Sequence, residues 1–170
     1  MKFKIQISCL FLFLLITLNS VGQKISPQIE TKWSDLKIQF ENRSKIVNEL
    51  AKALSKSKVD KKRIDNLKNT ASALSNHFTK LSSLDSISIS LAEVINVKLI
   101  QSIQQTLLTV ESQPALRGSR TFSDLQMKLE GSENEIAVAV YDYNNICMKY
   151  KRTDLLFHRT NQNMQTEIKF

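Results

Sequence analysis

Glycine and proline are scarce in this chain, at three and two residues in 170. Chains rich in tight turns or in glycine-rich phosphate loops need more of both. The scarcity argues against all-β and Rossmann-like organisations and favours long helices. Cysteine is as rare: Cys9 lies near the N-terminus and Cys147 stands alone in the rest of the chain, so no internal disulfide framework is available. The two histidines, His77 and His158, have leucines three residues before them, so the Glu-x-x-His pattern of di-metal bundles is missing. One cysteine with two distant histidines is not a zinc cluster, and no metal, cofactor or catalytic residue is assigned. Aromatic residues make up only 7%, which suits a narrow helical seam. Acidic residues are outnumbered, 16 against 24 basic, for a net charge of +8.

Residues 1–22 form a separate unit. Lys2 and Lys4 precede an apolar stretch from Ile5 to Leu18, broken by Gln6 and Ser8, and Ser20-Val21-Gly22 places small residues ahead of Gln23. That order is a signal peptide's. The stretch falls short of the roughly 20 apolar residues of a spanning helix. The alternative is an N-terminal membrane anchor extended to Val21. Either way the lysines stay inside and the rest is carried outward, so the chain is expected in the cell envelope, periplasmic or outward-facing and membrane-associated. Cys9 comes too early in the apolar run to serve as a lipoprotein acceptor. Cleavage after Gly22 removes two basic residues and no acid, lowering the net charge to +6.

The remainder reads as four long amphipathic helices. Ser26-Pro27 opens the first, with Ser as N-cap and Pro at the first helical position. Ile29, Trp33, Leu36, Phe40, Val47, Leu50 and Leu54 follow heptad spacing with one gap, filled by Arg43. Ser57-Lys58-Val59-Asp60 reads as a capping box for a second helix with seam Ile64, Leu67, Ala71, Leu74, Phe78 and Leu81. The alternation in Ser86–Leu91 is strand-like but has no partner. Residues 83–89 are taken as a loop or helix entry, with a further capping box at Ser90–Glu93. The third helix then presents Leu91, Val94, Ile95, Leu99, Ile103, Leu107 and Val110. After Pro114 and Gly118, Ser119 or Thr121 caps a fourth helix with seam Phe122, Leu125, Leu129, Ser132, Ile136, Ala139, Tyr143, Ile146, Tyr150, Thr153 and Phe157. Residues 159–170 lose periodicity and read as a frayed tail. The fold class is all-α, an elongated antiparallel up-down bundle of four long helices spanning 26–158.

Short connections fix which residues are level. The first and fourth helices pair residues whose numbers sum to about 176, which sets Arg43 beside Glu133. A buried arginine needs an acid. The seam is therefore expected to contain one polar layer, with Arg43 facing Glu133, Glu130 or Asn134 and with Gly131 and Ser132 giving the backbones room. Such a layer fixes register. Tyr143, Tyr150 and Cys147 are read as packing residues of the seam, not as a recognition strip or a nucleophile.

The stretch Leu129-Glu130-Gly131-Ser132-Glu133-Asn134-Glu135-Ile136-Ala137-Val138-Ala139-Val140-Tyr141-Asp142-Tyr143-Asn144 resembles the LemA family's helix-four motif. Trp33-Ser34, Leu36, Gln39, Arg43 and Ile46 to Leu50 resemble its first helix, and Pro114-Ala115-Leu116 its interhelical turn. The resemblance covers roughly residues 29–150. Glu135 stands where the family has Arg, Asn48 where it has Pro, and Lys151-Arg152-Thr153-Asp154 departs from its Arg-Arg-Phe-Pro segment. The resemblance implies a membrane-associated helical bundle without established catalytic activity, and it brings no catalytic residues.

Lys56, Lys58, Lys61, Lys62 and Arg63 crowd the first turn, and Arg117 and Arg120 belong to the connection at the same end. This basic end suits docking to an anionic membrane surface or to an acidic envelope protein. Nucleic acid is not expected of an exported chain without RNA-binding motifs. The function expected is a non-enzymatic scaffold or interaction module. The alternatives are a metal- or acid/base-dependent enzyme built on a helical bundle or, if the leader is misread, a basic nucleic-acid-binding bundle.

Overall fold

The computed structural model describes residues 25–81 and 83–158. The leader read at 1–22 and the tail read at 159–170 lie outside the described residues. The described chain is all-helical: α1 (Pro27–Leu54), α2 (Lys61–Lys80), α3 (Ser86–Glu111), a one-turn α4 (Pro114–Arg117), α5 (Arg120–Lys149) and a 3-10 turn, Thr153–Leu155. α1 packs against α2 and α5, and α2 against α3. The four long helices run up and down. The start of α1, the α2–α3 connection and the end of α5 share one end, and the α1–α2 and α3–α5 connections share the other.

The first helix starts as the sequence dictates. Ser26 Oγ accepts from Gln28 N at 3.3 Å, with Pro27 at the first position. The whole expected seam of α1 is buried, Arg43 included. The second start is displaced. Ser57 Oγ donates to Leu54 O and accepts from Val59 N, and Asp60 is the N-cap, its Oδ1 accepting from Lys62 N at 3.0 Å. The capping box expected at Ser57–Asp60 does not form. Val59 and Ile64 instead stand at the two positions of a hydrophobic staple, and both are buried.

α3 departs most from expectation. Asp85 is its N-cap, accepting from Ser88 N at 2.8 Å. The strand-like alternation is therefore helical, and Ser90–Glu93 lies inside the helix, not at its start. The inward face carries Ile89, Ala92, Asn96, Leu99, Ser102, Ile103, Thr106 and Val110, while Leu91 and Val94 face out. A helix apolar on most sides has no phase that periodicity can read.

α5 begins after Ser119, which makes no side-chain cap bond, and stops at Lys149. The expected continuation through Phe157 is broken at Lys151, which has φ 57°. Arg152 N bonds Cys147 O at 2.8 Å and Lys151 N bonds Met148 O at 3.0 Å. These are the two bonds of a Schellman stop. The chain then folds back along the bundle as a strap. Leu155 O accepts from the Tyr143 hydroxyl at 2.8 Å, and Asn144 holds Phe157 by both its N–H and its carbonyl, each at 2.9 Å. Phe157 thereby reaches the core. Its ring lies 5.4 Å from Phe40, which stacks on Phe78 at 5.3 Å; Trp33 meets Phe78 at 5.7 Å and Tyr143 at 5.3 Å. Tyr150, expected in the seam, is exposed at the helix end.

Candidate functional site: a buried charge layer and a basic end

Arg43 is fully buried at the middle of α1. Its Nη1 lies 2.5 Å from Glu133 Oε1 on α5, and its Nη2 donates to Asn96 Oδ1 on α3. Its guanidinium carbon sits 5.3 Å from the centre of the Phe40 ring. Three helices thus meet on one cation. Two further cross-helix ion pairs keep nearly the same residue-number sum, Lys32–Asp142 at 3.2 Å and Glu49–Lys128 at 3.7 Å. α1 and α5 are antiparallel and in one register throughout.

The other residues expected in the layer are elsewhere. Glu130 is exposed and accepts from Gln126 Nε2 at 3.4 Å. Asn134 is exposed on the rim of an open groove of about 530 Å³ lined also by Lys32, Asp35, Ile38, Val138 and Asp142. There Lys32 bonds both Asp142 and Asp35, which raises its pKa above the usual lysine value. Gly131 does not ease close approach of the backbones: it is exposed, and a Cβ added there meets nothing within 4 Å. Ser132 is buried and returns its hydroxyl to Leu129 O at 2.7 Å. Asn96 was missed by sequence reading. Its signal was a polar interruption at heptad spacing between Ala92 and Leu99, legible only once the phase of α3 is known.

Two groups of the seam are held in their neutral form. Cys147 is buried, and desolvation pushes its thiol pKa up; the Tyr143 phenol is also raised, first by desolvation and then by the neighbouring Cys147. Neither ionises near neutral pH, so Cys147 remains a thiol without nucleophilic character. Among the described residues no group of three or more His, Cys, Asp or Glu side chains is placed to hold a metal ion.

At the far end of the bundle Lys56, Lys58, Lys61, Lys62, Arg117 and Arg120 are exposed. Arg63 is different. It is half-buried and donates from Nη1 to the carbonyl of Gln105 on α3 at 2.7 Å. The end is also less uniformly basic than its sequence. A groove of about 590 Å³ between α1 and α5 brings Glu49 and Asp124 beside Lys52, Lys56 and Lys128. The exposed lysines of the α1–α2 turn form the basic face proper.

Curated proteins gave no significant match to the chain. The family model for the LemA family matches residues 32–165, most of the sequence. Arg43 and most of the first helix, the helix-four motif with Glu133 and the helices between them fall within that match, and the chain belongs to the LemA family.

Proposed function

We propose that the protein is a non-enzymatic, membrane-associated scaffold of the cell envelope whose basic end engages an acidic partner protein. One observation carries the reading: the bundle begins, after the apolar leader in the sequence, at one end, and exposes its lysine cluster at the other. The apolar run Ile5–Leu18 precedes in the sequence Pro27, where α1 begins at one end, and Lys56, Lys58, Lys61 and Lys62 are exposed at the other. Between them the polar constellation of Arg43 with Glu133 and Asn96 is turned inward and its members are paired with one another. Such a molecule is attached at one end and presents a charged face at the other.

The test is fractionation followed by photo-crosslinking from envelope membranes. Full-length protein is expected in the washed membrane or periplasmic fraction, protected from cytoplasmic probes, with N-terminal mass deciding between an intact Met1 and a start at Gln23. An acidic protein is expected to crosslink to the lysine end and to be lost when Lys56, Lys58, Lys61 and Lys62 become Gln. A soluble cytoplasmic pool of full-length chain overturns the envelope reading. Crosslinks indifferent to the four lysines overturn the role of the basic end.

A further inference from the structure

α3 carries more polar residues on its inward face than the other long helices do. It turns Asn96, Ser102 and Thr106 inward and leaves Ile87, Leu91 and Val94 at 80%, 49% and 51% exposure. Residues three and four apart share a helix face, so these three form one outward stripe, flanked by half-buried Leu84 and Ile95. Exposed Lys80 stands beside it, on a groove of about 360 Å³ shared with Leu91 and Ile95. Single exposed aliphatic residues are ordinary, but a contiguous stripe marks a contact surface. Among the described residues α3 is also the helix long and apolar enough, by length and composition, to cross a membrane, and only 33% of its most apolar window is buried. The stripe lies at the end of the bundle where α2 finishes and α1 begins at Pro27, the residue toward which the apolar run Ile5–Leu18 leads.

We propose that the Ile87–Leu91–Val94 stripe is an interfacial docking surface for a lipid bilayer. The first turns of α3 lie in the headgroup–acyl boundary, with Lys80 reaching the lipid phosphates. A bilayer fits better than a protein. Three side chains fall far short of the roughly 20–30 residues per side of a stable protein interface, whereas a shallow lipid contact needs only a few aliphatic residues backed by a cation. The apolar run brings this end, and not the other, to the membrane. The inference rests on the membrane-associated reading above with residues 1–22 retained as the anchor, and specifies the face that meets the lipid.

The experiment uses the full chain bound to phosphatidylcholine vesicles carrying a diazirine on the acyl chain. After irradiation and digestion, labelled peptides are read by mass spectrometry. Label is expected on residues 84–95 as well as on 5–18. In Ile87→Ser/Leu91→Ser/Val94→Ser the yield on 84–95 should fall at least about tenfold, because the apolar transfer lost from three aliphatic side chains exceeds what one factor of ten requires. The sites are exposed, so the helical circular dichroism should be kept; Leu91→Asp alone replaces the triple variant if it is not. Label confined to 1–22 overturns the α3 surface and leaves membrane association standing. Failure to sediment with vesicles overturns both. Crosslinks between α3 helices of two chains, in place of lipid label, assign the stripe to a second copy and also overturn the proposal.

Discussion

A guanidinium cut off from water has lost its hydration, and at Arg43 what replaces it is a carboxylate, an amide oxygen and the face of Phe40. Removing one partner from such a set is costly because the others remain buried. Arg43→Ala is expected to destabilise the fold by about 3–5 kcal/mol, measured by chemical denaturation. Arg43→Met with Glu133→Leu should restore part of that, and adding Asn96→Leu more, since the amide otherwise stays buried beside an apolar side chain. Double-mutant cycles should give clear coupling of Arg43 to Glu133 and to Asn96 and none to Glu130 or Asn134; the reverse pattern would falsify the layer as described. Gly131 gives the second prediction at this scale. With open space around its Cβ position, Gly131→Ala should stabilise by about 0.5–1 kcal/mol, a rise in Tm of up to about 2–4 °C. A lower Tm would mean that the exposed face near residue 131 makes a contact that alanine blocks. Arg43 could be read from the sequence because it fills the one gap in a regular seam, and Glu133 because level counting in an antiparallel pair is arithmetic. Gly131 was misassigned because it adjoins Ser132. One residue is about 100° of helix, enough to carry its neighbour from seam to solvent.

Helices were legible wherever one face is apolar and the other polar. α1 and α2 satisfy that, and their seams are buried as read except for Leu81, which falls just past the end of α2 and is only partly buried. In α5 the reading holds through Ile136 and again at Tyr143, but the positions read at Ala139 and Ile146 slip by one: Val140 and Cys147 are buried, with Ala139 and Ile146 beside them only partly so. A straight helix drifts about 20° per heptad against a strict seven-residue pattern, and over 30 residues the drift moves the seam to the next residue. The stop at Lys149 was invisible because no glycine or proline announces it. A lysine takes the left-handed position that glycine usually fills. This yields a third prediction. Lys151→Val, β-branched at positive φ, should lower stability by about 1–2 kcal/mol, while Lys151→Gly should be neutral or slightly stabilising. Thermal melts of the two variants decide it, and equal effects would mean that the Schellman stop does not hold the strap.

For the whole molecule, the exposed lysines at the α1–α2 turn are ornaments of the fold and not supports. Lys56, Lys58, Lys61 and Lys62 replaced together by Gln should leave stability within about ±0.5 kcal/mol per site. The contrast is Arg63→Gln, which breaks the bond to Gln105 O that ties the start of α2 to α3 and should cost about 1–2 kcal/mol. Urea unfolding of the two variants side by side measures the difference; a large loss in the lysine variant would show that the turn is packed and not merely solvated. The length of α1 has a consequence of its own. Its 28 residues span about 42 Å, whereas charges in physiological salt are screened over about 8 Å. Lysines at the far end of such a rod do not sense a lipid surface lying against its beginning. With the Pro27 end at a membrane as proposed, the molecule is a standoff: its two ends act in separate electrostatic environments, and salt should weaken whatever binds the lysines far more than the mainly aliphatic contact at the other end.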